Sequence, residues 1–112
     1  MKWITLNDIK DQLRLEREFT DEDTLLTRYG NAAEQFVLNY LCRTEEELKA
    51  MNADDPTKVP EAIIQGTLII VDAFYQYRGP FSTQNLYLVD YGFDALVSWY
   101  RKPTLSSVRP ND

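Results

Sequence analysis

Apolar residues recur along this chain at helical spacing, in blocks separated by turn-forming residues. The first block is Leu6, Ile9 and Leu13, with Leu15 at its edge, and it follows Thr5. The Thr5 hydroxyl is suited to cap a helix, and Asp8 sets a carboxylate against the positive end of the helix dipole. Asp8, Lys10, Asp11 and Arg14 fall off the apolar stripe and are expected to form a solvated face. Thr20 is expected to open a second, longer helix, with Asp21, Glu22 and Asp23 crowding its first turn. Its stripe comprises Leu25, Leu26, Tyr29, Ala32, Ala33, Phe36, Val37, Tyr40 and Leu41, the i, i+3, i+4, i+7 pattern of a half-buried helix. Gly30 interrupts that stripe at a cost of about 1 kcal/mol relative to Ala, and marks a place for close approach of another backbone.

Thr44-Glu45-Glu46-Glu47 matches a capping box and predicts a short helix carrying Leu48 and Met51. Asn52 to Lys58 reads as an exposed loop. Pro60 suits the first turn of the next helix, where its missing N–H costs nothing. From Glu61 to about Tyr77 the chain is apolar nearly all round, which predicts a central helix buried on several sides. A buried strand is the rival for its β-branched stretch, but the length of the run and Pro60 favour a helix. Arg78-Gly79-Pro80 ends it. Residues 81–91 read as a polar-aromatic loop, with a short extended piece at Leu86-Tyr87-Leu88-Val89. Phe93, Leu96, Val97 and Tyr100 mark a last short helix, which Lys102-Pro103 stops. The expected fold is all-α: a single helical domain over residues 1–103, built as a small bundle of about five helices, two long and three short. A long loop precedes the last helix, and residues 104–112 are expected to be a flexible tail.

Composition narrows what such a bundle can do. The chain has 112 residues, enough for one modest core. Seven Tyr, five Phe and two Trp supply more apolar surface than a disordered chain carries. The net charge is -6, which is unfavourable for gripping phosphates. Histidine is absent, which removes the commonest general base near neutral pH and the commonest zinc ligand. Cys42 is the only cysteine, so no intrachain disulfide can form and a reducing compartment is expected. The opening Met1-Lys2-Trp3-Ile4-Thr5 does not read as a signal peptide, and the apolar run at Leu68 to Val71 is too short to span a bilayer.

Candidate chemistry is sparse. Glu18 and Asp21 to Asp23 lack the alternating ligands, central glycine and terminal Glu of a calcium loop, and read as an acidic helix start. Glu45 to Glu47 read the same way. Cys42 is expected to be a passive, partly buried thiol. Four scattered glycines make no phosphate loop. No catalytic, cofactor-binding or metal-ligating residue is expected. Arg78 and Arg101 each close an aromatic-rich helix end, where they can offset the helix dipole, stack on rings or meet another subunit. The central helix carries more apolar surface than the four other helices, most of them short, readily cover. Candidate subunit-interface residues are therefore Phe74, Tyr77, Arg78, Phe81, Leu86, Tyr87, Leu88, Trp99 and Arg101.

The order of these segments resembles the small head–tail connector proteins of long-tailed bacteriophages, also described as head-completion or DNA-packaging proteins. The family opens on a Leu-x-x-Ile/Leu-Lys-x-x-Leu-Arg helix, here Leu6-Asn7-Asp8-Ile9-Lys10-Asp11-Gln12-Leu13-Arg14. An acidic start to a long helix follows, here Asp21 to Leu26 leading to Ala32-Ala33-Glu34-Gln35-Phe36-Val37. Val59-Pro60-Glu61-Ala62-Ile63, Tyr75-Gln76-Tyr77-Arg78 and Ala95 to Arg101 match the remaining pieces, so the resemblance covers residues 5 to 101. The sequence departs from it at Leu41-Cys42-Arg43, where the family often has a Thr-Gly turn.

The resemblance implies a non-enzymatic, cofactor-free structural subunit of the virion. It would form a homo-oligomeric ring of about a dozen copies below the portal and dock a downstream head-closure or tail protein. DNA would pass through the ring without specific binding, and no membrane is involved. Assembly would take place in the cytoplasm of the bacterial host, for an infectious phage or a prophage. The residues alone leave a second reading open: a small helical adaptor or regulator that binds a host or phage protein without forming a ring.

Overall fold

Thr5 begins the first helix through a reciprocal pair of bonds. Its Oγ1 accepts from the Asp8 N–H at 3.1 Å, and the Asp8 carboxylate accepts from the Thr5 N–H at 2.9 Å. A computed structural model of the chain describes residues 1–76 and 93–101. In it α1 spans Leu6–Leu13 and ends at Arg14, which adopts the left-handed conformation at φ 62°. Leu15 therefore lies beyond the helix.

The second helix, α2, spans Asp23–Leu41 and starts later than Thr20, after a turn. Of the acids expected in its first turn, Asp23 stands there, Glu22 holds the N-cap position and Asp21 falls before the helix. Glu22 accepts from the Tyr75 hydroxyl at 2.6 Å, Asp23 pairs with Lys10 Nζ at 2.9 Å, and no side chain caps the helix. Lys10 itself is buried, not solvated: its ammonium also donates to the Arg17 carbonyl at 3.0 Å. These two acceptors replace the water that a buried ammonium loses.

The face that α2 buries consists of Leu26, Gly30, Ala33, Glu34, Val37 and Leu41. Ala32 and Phe36, assigned to the stripe by spacing, lie on its exposed rim. Gly30 does admit a close neighbour, but the neighbours are side chains, Met1 and Ile9, and not a backbone. At the far end Cys42 takes the left-handed conformation at φ 56°, and the N–H groups of Cys42 and Arg43 both return to the Leu38 carbonyl. The thiol is exposed, contrary to the partly buried position expected, because this terminal turn carries it past the packed face.

Thr44 and Glu47 form a second capping box, which opens α3 (Glu45–Ala50). The following loop is organised by Asn52, which accepts from the N–H of Asp54 and donates to the Lys58 carbonyl. Pro60 stands just before α4 (Glu61–Gln76), where its carbonyl accepts from Ile63 and Ile64. α4 is the central helix, packed mainly on α2 and then on α1. It buries Ile63, Gly66, Thr67, Leu68, Ile70, Val71 and Ala73. Residues 93–97 form α5, which tightens into a 3-10 turn at Ser98–Tyr100. Phe93 and Val97 of α5 are fully buried, and Gly66 of α4 leaves room for both. Each such Leu, Ile, Val or Phe contributes about 1.5–3 kcal/mol by leaving water.

The molecule is thus an all-helical small bundle, with no strand among the described residues. The expected loop at 81–91, its extended piece and the tail at 104–112 lie outside the described residues.

Candidate assembly surface

Three aromatic rings fasten the C-terminal element to the outer side of α2. Phe93 meets Tyr40 edge-on at 5.1 Å and Phe36 at 5.7 Å, and Phe36 stacks along the helix on Tyr40 at 6.3 Å. The Tyr40 hydroxyl donates to the Asp94 carboxylate, and the Arg101 guanidinium lies 4.8 Å from the Tyr40 ring centre. Arg43 Nε donates to the Tyr100 carbonyl at 2.7 Å. Contacts from both ends of the 93–101 segment therefore fix the backbone that carries Trp99. Trp99 itself remains 84% exposed and Phe36 43% exposed. The indole is left almost wholly in water on a turn tied down by its neighbours, so its apolar face and N–H are both available for contact.

The candidate residues separate into groups. Trp99 and Arg101 share the C-terminal element. The ring-stacking expected of Arg101 is found, but with Tyr40 of α2 and not with its sequence neighbours. Phe74 is half-buried on α4 and packs against Tyr29 at 5.9 Å, apart from that element. Tyr77, Arg78, Phe81, Leu86, Tyr87 and Leu88 lie outside the described residues. Phe36 belongs with Trp99 on exposure, and only its assignment to the buried stripe hid it.

A second polar construction escaped the sequence pattern. The buried Glu34 carboxylate accepts from three successive backbone N–H groups, those of Lys2 at 2.7 Å, Trp3 at 2.9 Å and Ile4 at 3.0 Å. Trp3 Nε1 donates to Thr67 Oγ1 at 2.9 Å, and that hydroxyl donates to the Ile63 carbonyl at 2.7 Å. The N-terminal segment is thereby strapped across α2 and α4. A readable signal existed: Glu34 occupies an inward position, four residues after Gly30 and three before Val37. Two surface hollows flank the strap. One, of about 540 Å³, lies between Lys2, Leu38, Cys42 and the start of α3. The other, of about 320 Å³, has Trp3, Val59 and Ile64 in its lining, with Lys2, Lys49 and Lys58 around them.

Several acidic residues are used structurally. Besides Glu22 and Asp23, Asp11 forms an ion pair with Arg17 at 2.8 Å. The hydrogen bond from Arg17 holds the Asp11 carboxyl below the usual carboxylate range, and the same bond raises Arg17. Among the described residues no group of three or more His, Cys, Asp or Glu is placed to hold a metal ion. None of the described helices is long and apolar enough to cross a membrane.

No curated protein and no solved structure matches the chain. A family model does: the one described as phage gp6-like head-tail connector protein matches residues 3–95.

Proposed function

Because the chain belongs to the phage gp6-like head-tail connector family, a family of structural phage proteins, we propose that it works as one subunit of a closed ring. As a family member it is a structural component of the virion, acting with other head and tail proteins. In the proposal the ring comprises about a dozen copies, sits below the portal, extends the DNA channel and presents a platform to the next tail-proximal protein.

The observation that carries the ring is Trp99, held 84% exposed by a turn anchored through Arg43, Tyr40 and Arg101. An aromatic side chain with only two rotatable bonds, on an anchored backbone, loses little entropy when a neighbour covers it. Net charge supports the channel. Copies at -6 each give an acidic ring, and an acidic lumen repels phosphate so that DNA passes without adhering. A lumen lined mainly by Lys and Arg contradicts that part. The direct test is the mass of the chain across a concentration series, alone and with portal. Large closed oligomers are expected, and Trp99→Ser is expected to weaken them without unfolding the monomer. A particle that stays monomeric with portal present contradicts the ring.

A further inference from the structure

We propose that the lysine-ringed hollow at the start of α4 is one half of the subunit contact, and that it receives the acidic α1–α2 turn of a second copy of this chain. The inference rests on the ring reading and assigns it a pair of surfaces.

The hollow has an apolar lining of Trp3, Val59 and Ile64. Lys2, Lys49 and Lys58 stand around it, with Glu61 also in the lining. Lys49 is shared with Glu45 of α3 at 3.2 Å. Lys2 and Lys58 form no ion pair among the described residues, and Asp55, in the loop beside Lys58, is bound by the Thr57 hydroxyl and N–H. Lys58 still lies close enough to Asp55 to help hold its carboxyl low, and Glu61 offsets one of the two unpaired lysines, so a small positive surplus remains, on a molecule that is otherwise acidic.

The complementary surface is residues 16–21. Glu16, Glu18 and Asp21 are exposed and make no ion pair among the described residues, and half-buried Phe19 sits between them. Arg17 in the same turn is already neutralised by Asp11, which leaves three carboxylates against Arg14. An aromatic ring flanked by carboxylates matches an apolar lining flanked by ammonium groups in both polarity and order. Apolar contact supplies the affinity and the charges fix partner and register.

Placement adds the second argument. Ile64 near the start of α4 lines the hollow, whereas Tyr75 near its end bonds Glu22, the residue that follows the acidic turn. Eleven residues of helix separate the two positions, about 16 Å at 1.5 Å per residue. At its other end the turn follows α1, whose Gln12 bonds Gln65 beside Ile64, yet no ion pair among the described residues joins the turn itself to the hollow, so the two patches are left to satisfy each other between copies. They pair head to tail between copies, the kind of contact that closes into a ring when the rotation allows.

The test is a charge swap in the full chain, read by mass measurement at several concentrations, alone and with portal. Lys2→Glu with Lys58→Glu is expected to weaken self-association about tenfold or more, as is Glu18→Lys with Asp21→Lys. Mixing the two variants sets the reversed hollow against the reversed turn at one contact and the unaltered hollow against the unaltered turn at the next, and is expected to restore assembly of alternating copies. All four positions are exposed, so melting curves should match the wild type. Should a reversal unfold the chain, Lys58→Gln and Glu18→Gln repeat the test with smaller losses expected. Wild-type assembly that neither variant pair disturbs overturns this contact and leaves the ring standing. A wild type that never assembles, even with portal, overturns both. Binding of a short DNA duplex that Lys2→Glu and Lys58→Glu abolish, with assembly unchanged, assigns the hollow to phosphate and also overturns the contact.

Discussion

Cys42 occupies a conformation that glycine adopts without cost. Its φ of 56° lies in the left-handed region. The helix ends there without the residue best suited to that conformation, and a non-glycine residue in it costs about 1 kcal/mol. Cys42→Gly is therefore expected to raise stability by up to about 1 kcal/mol in chemical denaturation, because the exposed thiol gives up no packing. A loss of stability would mean that the thiol's weak contact with the Asn39 carbonyl matters more than backbone strain. Glu34 is the opposite case, a side chain whose loss leaves several groups unsatisfied. Glu34→Ala strands three backbone N–H groups and is expected to cost about 2–4 kcal/mol. Fast hydrogen exchange at Trp3 and Ile4 should accompany it. Glu34→Gln, which retains one carbonyl acceptor, should recover part of the loss.

Helix ends were legible in the sequence wherever their chemistry is local. Thr5 with Asp8 and Thr44 with Glu47 form the capping boxes that their three-residue spacing predicts. The start of α2 was misplaced because its acids answer to Lys10 and Tyr75, residues distant in sequence that no window around Thr20 contains. Lys10 and Glu34 were hidden for the same reason: a buried charge is decided by a partner, and the partner is tertiary. The candidate surface was legible in part, through Trp99 and the stacking habit of Arg101; the exposure of Phe36 depended on where α5 stops covering α2. Helix packing also sets opposite outcomes for two similar substitutions. Gly66→Ala would drive its new methyl against Val97, 2.7 Å away and fully buried on a β-branched side chain that cannot swing aside. It is expected to destabilise the protein, with α5 displaced and Trp99 fluorescence altered, despite the gain in helix propensity. Gly30→Ala meets mainly the flexible end of Met1, so most of the gain of about 1 kcal/mol should survive. Parallel thermal melts of the two variants decide it.

At the scale of the whole molecule, the bundle combines a closed interior with an unfinished exterior. Its core residues are buried, yet Trp99 faces water from an anchored turn, and a lysine-ringed hollow and an acidic turn stand on separate elements of the surface. For a structural subunit these are the features to explain, since Lys10, Asp11, Arg17, Glu22, Asp23 and Glu34 are already engaged in holding the fold. In the proposed assembly, copies of this chain close into a ring on the portal. Electron microscopy of portal incubated with the chain is the decisive measurement. A closed collar coaxial with the portal channel is expected, with the 93–101 segment and the hollow at the start of α4 buried between neighbours. Bare portal, or isolated monomers scattered on its rim with Trp99 still facing solvent, would contradict it.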